Sequence, residues 1–195
     1  MKKRIISLLL LASIALTACS DAKSEDTASN LIINKDKSII STVKEDFNEP
    51  YYDVNELKEM INSDIAEYNK THDAAISSKE PVLEEGVVSL ELTYKTSEDY
   101  SIFNNESLFT GNPSDALLKG YSLDVILTDI SDPTKTIAGV DIKGMTDNTI
   151  LITDYIDNIH LPSKALYASD NVVVSDNGKT VKRNDTSDKP VFVIY

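Results

Sequence analysis

The sequence predicts an α+β protein in which an antiparallel sheet is covered by one long N-terminal helix plus two short helices. Three observations predict this fold. Helical patterns gather in the first half of the chain and strand patterns fill the second half, a segregation typical of α+β proteins. Residues 53–69 carry the longest apolar stripe at helical spacing. Residues 88–95 alternate between apolar and polar side chains, as a half-buried antiparallel strand does.

The first elements are short. Apolar clusters at residues 31–33 and 39–43 predict a first strand, and Glu49-Pro50 marks a turn, because proline disfavours helix at the residue before it. The long helix follows, with Asp53 in the N-cap position. Its apolar residues recur every three or four positions on one face, and they are Val54, Leu57, Ile61, Ile65 and Tyr68.

An edge strand and two short helices come next. Residues 76–83 are expected to pair with residues 88–95 through a turn at residues 84–86, and Pro81 confines them to an edge. Ser97 is the predicted cap of the first short helix. Asn112-Pro113 opens the second, because proline suits the first helical position.

The second half of the chain is expected to be strand. The run "NIHLP" at residues 158–162 is predicted to be a loop, and Asp176-Asn177-Gly178 a hairpin turn. The predicted strands are residues 121–127, 137–142, 149–153, 165–168, 172–174, 180–182 and the final "VFVIY".

The N-terminus has the composition of an export signal. A cationic start, Met1-Lys2-Lys3-Arg4, precedes an apolar run over residues 5–16. Twelve helical residues reach about 18 Å, which is too short to cross a hydrocarbon core of roughly 30 Å. The run ends in Leu16-Thr17-Ala18-Cys19.

That ending resembles the lipobox of bacterial lipoproteins: an aliphatic residue, two small residues and a cysteine. The resemblance implies cleavage between Ala18 and Cys19, with lipidation (diacylglyceryl, then palmitate-like chains) at Cys19. A thiolate is the nucleophile that this modification needs. The predicted organisation is therefore a signal peptide at residues 1–18, the acylated Cys19 and a polar tether at residues 19–30, and one extracytoplasmic domain at residues 31–195.

Composition limits the partners. The formal charge is −13, and removal of the three N-terminal cations makes it −16. Such a chain is repelled by nucleic acids and by anionic headgroups, so we expect no nucleic-acid partner. Cys19 is the single cysteine of the 195 residues. Disulfides and cysteine metal sites are therefore excluded.

A second resemblance covers residues 53–127. The capped helix at Asp53 and the segment "DYSIFNNESLFTGNPSDALLKGY" are similar to a group of uncharacterised cell-surface lipoproteins of Gram-positive bacteria. That group has no assigned activity, so the resemblance implies none.

Residues that could support catalysis are few. His72 and His160 are the only histidines, and His72 is expected to satisfy the last carbonyls of the long helix. The spacing S-x-x-K occurs at Ser20/Lys23 and Ser41/Lys44 without the companion motifs of a β-lactamase. We therefore predict no catalytic residue, no metal site and no cofactor.

Two functions from different classes remain. The first is a membrane-anchored, non-catalytic binding, adaptor or envelope-associated module, attached to the bilayer through Cys19 and having an unknown protein or carbohydrate partner. The alternative is a small extracytoplasmic hydrolase that uses Asp or Glu residues. Adjacent Tyr51-Tyr52 are the one hint of a binding surface. Core packing is the preferred interpretation for the tyrosines as a group.

Overall fold

The computed structural model describes residues 28–155, 157–175, 177–184 and 189–195. These residues form fourteen strands and four helices. The strands are β1 (Asn30–Ile33), β2 (Ile39–Asp46), β3 (Ile76–Ser78), β4 (Val82–Glu84), β5 (Val87–Tyr94), β6 (Leu108–Gly111), β7 (Ile126–Asp129), β8 (Thr136–Ala138), β9 (Ile150–Thr153), β10 (Asn158–His160), β11 (Tyr167–Ala168), β12 (Val172–Val174), β13 (Thr180–Arg183) and β14 (Val191–Ile194). The helices are α1 (Val54–Asn69), α2 (Ser97–Asn104), α3 (Pro113–Leu118) and α4 (Val140–Gly144).

The strands form two sheets. The first has eight strands in the order β12-β13-β10-β1-β2-β5-β3, and β4 pairs with the same edge of β5 as β3 does. The second has six strands in the order β6-β9-β14-β11-β7-β8. Strand β1 pairs with β10 in parallel. The other pairings of the described strands are antiparallel.

The second sheet is the centre of the molecule. Every residue of its strands β6, β9 and β14 is buried. One face contributes Leu151 and Val193 to a core that it shares with the first sheet and α1. The other face contributes Ile152 and Ile194 to a second core, against α3 and α4. Burial on both faces explains why these strands are continuous apolar runs rather than alternating ones.

The predicted α+β class is wrong, because helices hold only 22% of the described residues and the strands form two packed sheets. Helix α1 does form at the predicted residues and buries Leu57, Ile61 and Ile65. It does not cover a sheet as predicted. Its C-terminal Asn69 holds the edge strand β3, accepting a hydrogen bond from the Ile76 N–H and donating one to its carbonyl. The first sheet shares its core with the second sheet and with α1.

Several local predictions are confirmed. Asp53 caps α1, with its carboxylate accepting a hydrogen bond from the backbone N–H of Asn55 at 2.7 Å. Asn112 caps α3, which has Pro113 at its first position. Strands β3 and β4 occupy the predicted edge beside β5. The hairpin β12–β13 spans the predicted turn.

Other predictions are corrected. The cap of α2 is Thr96, and Ser97 is its first helical residue. The alternating run at residues 121–127 becomes strand only from Ile126. The run at residues 137–142 is divided between β8 and α4, because Gly139 takes a positive φ of 48° and ends the strand. Residues 158–160 of "NIHLP" are the strand β10 rather than a loop.

Candidate functional site

Three aromatic side chains form a continuous cluster at one end of the first sheet, which we name the ring cluster. The Phe47 and Tyr52 rings are stacked, with centroids 4.7 Å apart. The Tyr51 ring meets Tyr52 edge-on at 5.0 Å. Phe47 packs against the first core, whereas Tyr52 is 39% exposed and Tyr51 is 73% exposed. The cluster therefore leads outward from the core and ends in an exposed tyrosine.

The local sequence explains why these rings meet. Phe47 follows β2 directly, and its N–H donates to the carbonyl of Gly86 at 2.6 Å. The chain then turns at residues 49–52, where Tyr52 N–H donates to the Glu49 carbonyl at 3.0 Å. Pro50 takes the second position of this turn, which its fixed φ favours. Asp53 then caps α1, so the rings lie between two fixed elements.

A glycine in the neighbouring hairpin permits this arrangement. Gly86 has φ +78°, and a Cβ there would lie 1.8 Å from Asn48 Oδ1. The segment that carries the rings therefore crosses closely over the β4–β5 turn. That turn has two residues, Glu85 and Gly86, both with positive φ. Positive φ at both positions is the geometry of a type I′ hairpin turn.

Four exposed carboxylates lie in the two segments that meet at the ring cluster, residues 46–49 and 84–85, and we name them the acidic rim: Asp46, Glu49, Glu84 and Glu85. Asp46 and Glu84 both lie beside Val87, because Asp46 pairs with Val87 across β2–β5 and Glu84 pairs with it across β4–β5. All four are exposed. They take part in none of the ion pairs among the described residues. The Glu49 carboxylate foremost raises the pKa of Tyr51 above its ordinary value.

An exposed sheet edge borders the same surface. All three residues of β4 are exposed, and Val82 and Leu83 are apolar. The neighbouring edge strand β3 differs, because Asn69 fills the hydrogen-bonding positions of its Ile76. The ring cluster is thus next to β4, the part of this sheet edge whose residues are all exposed.

The described chain also begins at this end of the domain. Lys44 N–H donates to Ser29 Oγ at 3.1 Å, which places the residue before β1 alongside β2. Phe47 lies three residues beyond Lys44, or about 10 Å along an extended strand. Asn30, the last residue of the predicted tether, belongs to β1. The predicted anchor therefore connects at the end of the sheet that carries the rings.

The predicted lipidation and cleavage residues, Cys19 and Ala18, lie outside the described residues. So do the predicted signal peptide at residues 1–18 and residues 19–27 of the predicted tether. No helix among the described residues is long and apolar enough to cross a membrane.

The histidines lie apart and have structural partners. His72 Nδ1 is 2.9 Å from the Tyr68 carbonyl, and its ring stacks on Tyr68 at 3.9 Å, which confirms its role at the end of α1. His160 Nδ1 is 3.1 Å from Thr180 Oγ1 of the neighbouring strand. Within the described ranges, no group of three or more His, Cys, Asp or Glu side chains could hold a metal ion.

The S-x-x-K pair that the structure describes, Ser41/Lys44, does not form a nucleophilic site. Ser41 is a buried residue of β2 whose strand register fixes it opposite Leu92. Ser20 and Lys23 lie outside the described residues.

A second group of polar aromatics is internal. Tyr94 and Tyr100 are buried, and their rings meet edge-on at 5.1 Å. Tyr100 donates a hydrogen bond to Glu106, and Tyr94 donates one to Asn104. Burial raises the pKa of both phenols, and the nearby Glu106 carboxylate adds to the effect. These contacts join α2 and the loop after it to β5. Tyr94 and Tyr100 are therefore core residues, as the sequence analysis predicted for the tyrosines as a group.

The sequence contains a signal for the ring cluster. Its adjacent Tyr51-Tyr52 hint at a binding surface, and the structure adds Phe47 to them. The run "EDFNEPYYD" at residues 45–53 places three aromatics among four acidic residues. Aromatics in so polar a segment cannot all be covered by their own neighbours, which is the pattern of an exposed aromatic surface.

No protein-family model, curated protein or solved structure matches the chain.

Proposed function

We propose that this protein is a lipid-anchored extracytoplasmic binding module, held to the bilayer by acylated Cys19 and engaging its partner through the ring cluster. The exposed cluster of Phe47, Tyr51 and Tyr52 carries this proposal. Tyrosine provides large contact area at low entropic cost, and it is enriched among the residues that dominate binding energies. Tyr51 is 73% exposed and contacts Tyr52, which stacks on the core-packed Phe47, so an exposed ring is held in place for such contact.

The position of the cluster supports the anchored arrangement. Asn30 belongs to β1, so at most ten residues, 20–29, separate the predicted anchor Cys19 from the sheet; a random-coil tether of ten residues spans about 17 Å. The ring cluster lies at the end of the domain where that tether connects. It is therefore presented close to the membrane, where a membrane protein or another envelope component is within reach.

The anchor is tested by Cys19→Ala, with Ser20→Ala as the matched control. We expect the Cys19→Ala protein to lose metabolic lipid labelling and to remain uncleaved or be released, because no other thiol can be acylated. Ser20→Ala should be labelled as wild type is. A lipid-labelled, membrane-bound Cys19→Ala protein would contradict the anchor.

The binding surface is tested by photo-crosslinking in intact cells. A photoreactive residue at position 51 should give a defined adduct with one partner. The control position is Val140 in α4, which is 80% exposed and lies on the second-core side of the molecule. Equal, diffuse labelling from positions 51 and 140 would show that the ring cluster is an ordinary exposed surface.

A further inference from the structure

We infer that the ring cluster and the acidic rim together dock a cationic segment, rich in arginine or lysine, of a protein partner. The inference rests on the proposed function and specifies the chemistry of the partner. It concerns one end of the first sheet, where Tyr51 and Tyr52 are exposed and the segments that carry the four rim carboxylates meet.

The rings supply a cation site. A guanidinium or ammonium group is attracted to the face of an aromatic ring when it lies within about 6 Å of the ring centre. Phe47 packs against the core and stacks on Tyr52. One face of the Tyr52 ring is therefore covered by Phe47. The Tyr51 and Tyr52 rings are T-shaped, at an interplanar angle of 76°. Because Tyr51 is 73% exposed, most of this residue is open to a cation.

The acidic rim determines the sign of the partner. Asp46 and Glu84 flank Val87 on adjacent strands, while Glu85 is at the hairpin tip and Glu49 at the neighbouring turn. Ionised carboxylates only accept hydrogen bonds, and a guanidinium only donates them. Since none of the four is used in an ion pair among the described residues, they are available to an external cation.

The same charges disfavour the membrane itself as the occupant. Tyrosines near a tether could enter the headgroup region of a bilayer. Here, however, four carboxylates would approach the headgroups with them, and the whole chain carries a charge of −13. An anionic lipid surface would repel this end of the domain. A cationic polypeptide meets both the rings and the rim favourably.

The test is a titration of the full chain, in neutral detergent micelles, with three peptides of equal length: decaarginine, decalysine and an uncharged Gly/Ser peptide. We expect decaarginine to bind more tightly than decalysine, because guanidinium stacks on rings and pairs with carboxylates in a bidentate way. The uncharged peptide should not bind. Chemical-shift changes should centre on the Tyr51 and Tyr52 ring protons.

Two variant pairs separate a site from general charge attraction. Glu49→Gln/Glu84→Gln changes the rim, and Asp124→Asn/Asp147→Asn changes two exposed carboxylates elsewhere by the same net charge. We expect the rim pair to weaken decaarginine binding about fivefold to tenfold, and the control pair to change it by less than about twofold. Equal weakening by both pairs would overturn the inference.

The rings are tested separately. Tyr51→Ala should weaken decaarginine binding about fivefold without changing the melting temperature, because the side chain is 73% exposed. An affinity equal to that of the wild type would overturn the inference. Because Tyr51 alone is replaced, the stacked Phe47–Tyr52 pair and the fold are retained.

A third measurement decides between peptide and membrane. In phosphatidylcholine nanodiscs with spin-labelled headgroups, a membrane-docked cluster would show strongly broadened Tyr51 and Tyr52 ring signals that decaarginine does not relieve, which would overturn the inference. We expect little broadening. A failed inference also differs from a failed function: a defined adduct from position 51 that survives high salt would keep the binding module and reject its cationic partner.

Discussion

The two sheets of this protein differ in what covers them. The second sheet is buried on both faces, by the first sheet and α1 on one side and by α3 and α4 on the other. The first sheet contributes to one core only, and the residues of β2, β5 and β10 that face away from it are half-buried or exposed. The second sheet is therefore the more completely buried of the two, whereas the first sheet has surface available for function.

The difference shows how the ring cluster can be both exposed and ordered. Phe47 and Tyr52 lie where β2 leaves the first sheet, at a margin of the first core. The sheet end is fixed by the pairing of β2 with β5 along eight residues. An exposed surface at such an end can change in sequence without weakening the doubly covered sheet.

The largest effect is expected from a cavity in the second sheet. Ile152 is 1% exposed in the central strand β9 and lies in the second core. Ile152→Ala should lower the free energy of unfolding by about 2–5 kcal/mol. Thr42→Ala, on the open face of the first sheet, should change it by less than about 0.5 kcal/mol. Urea unfolding measures both, and equal losses would mean that the two sheets contribute alike.

A smaller effect is expected from α1, which packs beside the first sheet. Ile61→Ala should lower the free energy of unfolding by about 2 kcal/mol, near the lower end of the range found when a buried isoleucine is replaced by alanine. Glu59→Ala on the exposed side of the helix should change it by less than about 0.5 kcal/mol. Thermal unfolding measures both. If both variants melted like the wild type, α1 would not be docked on the first core.

Alkaline pH should act through the first core, where Tyr68, Tyr94 and Tyr100 have raised pKa values. Burial foremost, with the hydrogen bond to Asp99, raises the pKa of Tyr68 to about 12 from an ordinary value of 10.0. Folded Tyr68 thus holds its proton where the unfolded residue has lost it. Its stabilising contribution is complete below pH 10 and is lost as the pH rises towards 12.

Tyr68→Phe isolates this contribution. At pH 8 the variant should be slightly less stable than the wild type, because it lacks the hydrogen bond to Asp99. The difference should shrink and then reverse as the pH rises from 10 to 12, since phenylalanine does not ionise. Urea midpoints at several pH values measure it. A difference that stays constant across this range would contradict the raised pKa.

Local structure followed from local sequence in much of the chain. The helix stripe, the Asp53 and Asn112 caps and the alternation of residues 88–94 each reflect forces that act within a few residues. The number of sheets, by contrast, does not depend on forces within a few residues. Runs such as "ILIT" and "VFVI" look like strands from either kind of sheet, and only long-range packing shows that both their faces are covered. That missing information made the α+β prediction wrong.

The candidate site was predictable in composition but not in geometry. Tyr51-Tyr52 were visible as adjacent aromatics. The position of Glu84 and Glu85 beside this end of the sheet could not be predicted, because they follow the rings by more than thirty residues in the sequence. They reach the site through the pairing of β2 and β4 with the two edges of β5. Burial of Tyr94, Tyr100 and Tyr195, by contrast, agrees with the core interpretation of the tyrosines as a group.

The smallest effect is expected at the β4–β5 turn, where the first sheet meets the acidic rim. Glu85 has φ +49°, a left-handed conformation that disfavours a residue with a long side chain, whereas asparagine tolerates it. Glu85→Asn should therefore raise the free energy of unfolding by about 0.5 kcal/mol. Glu84→Gln, which removes a neighbouring charge without changing a left-handed residue, is the matched control and should raise it less.

The same two variants connect stability to binding at this end of the sheet. Both remove one rim carboxylate, so both should weaken decaarginine binding to a similar extent. Only Glu85→Asn should also stabilise the turn. A more stable protein that binds less well would mean that the glutamate is kept in an unfavourable conformation for its charge. If Glu85→Asn gained stability and kept its affinity, Glu85 would not belong to the acidic rim, and the rim would reduce to Asp46, Glu49 and Glu84.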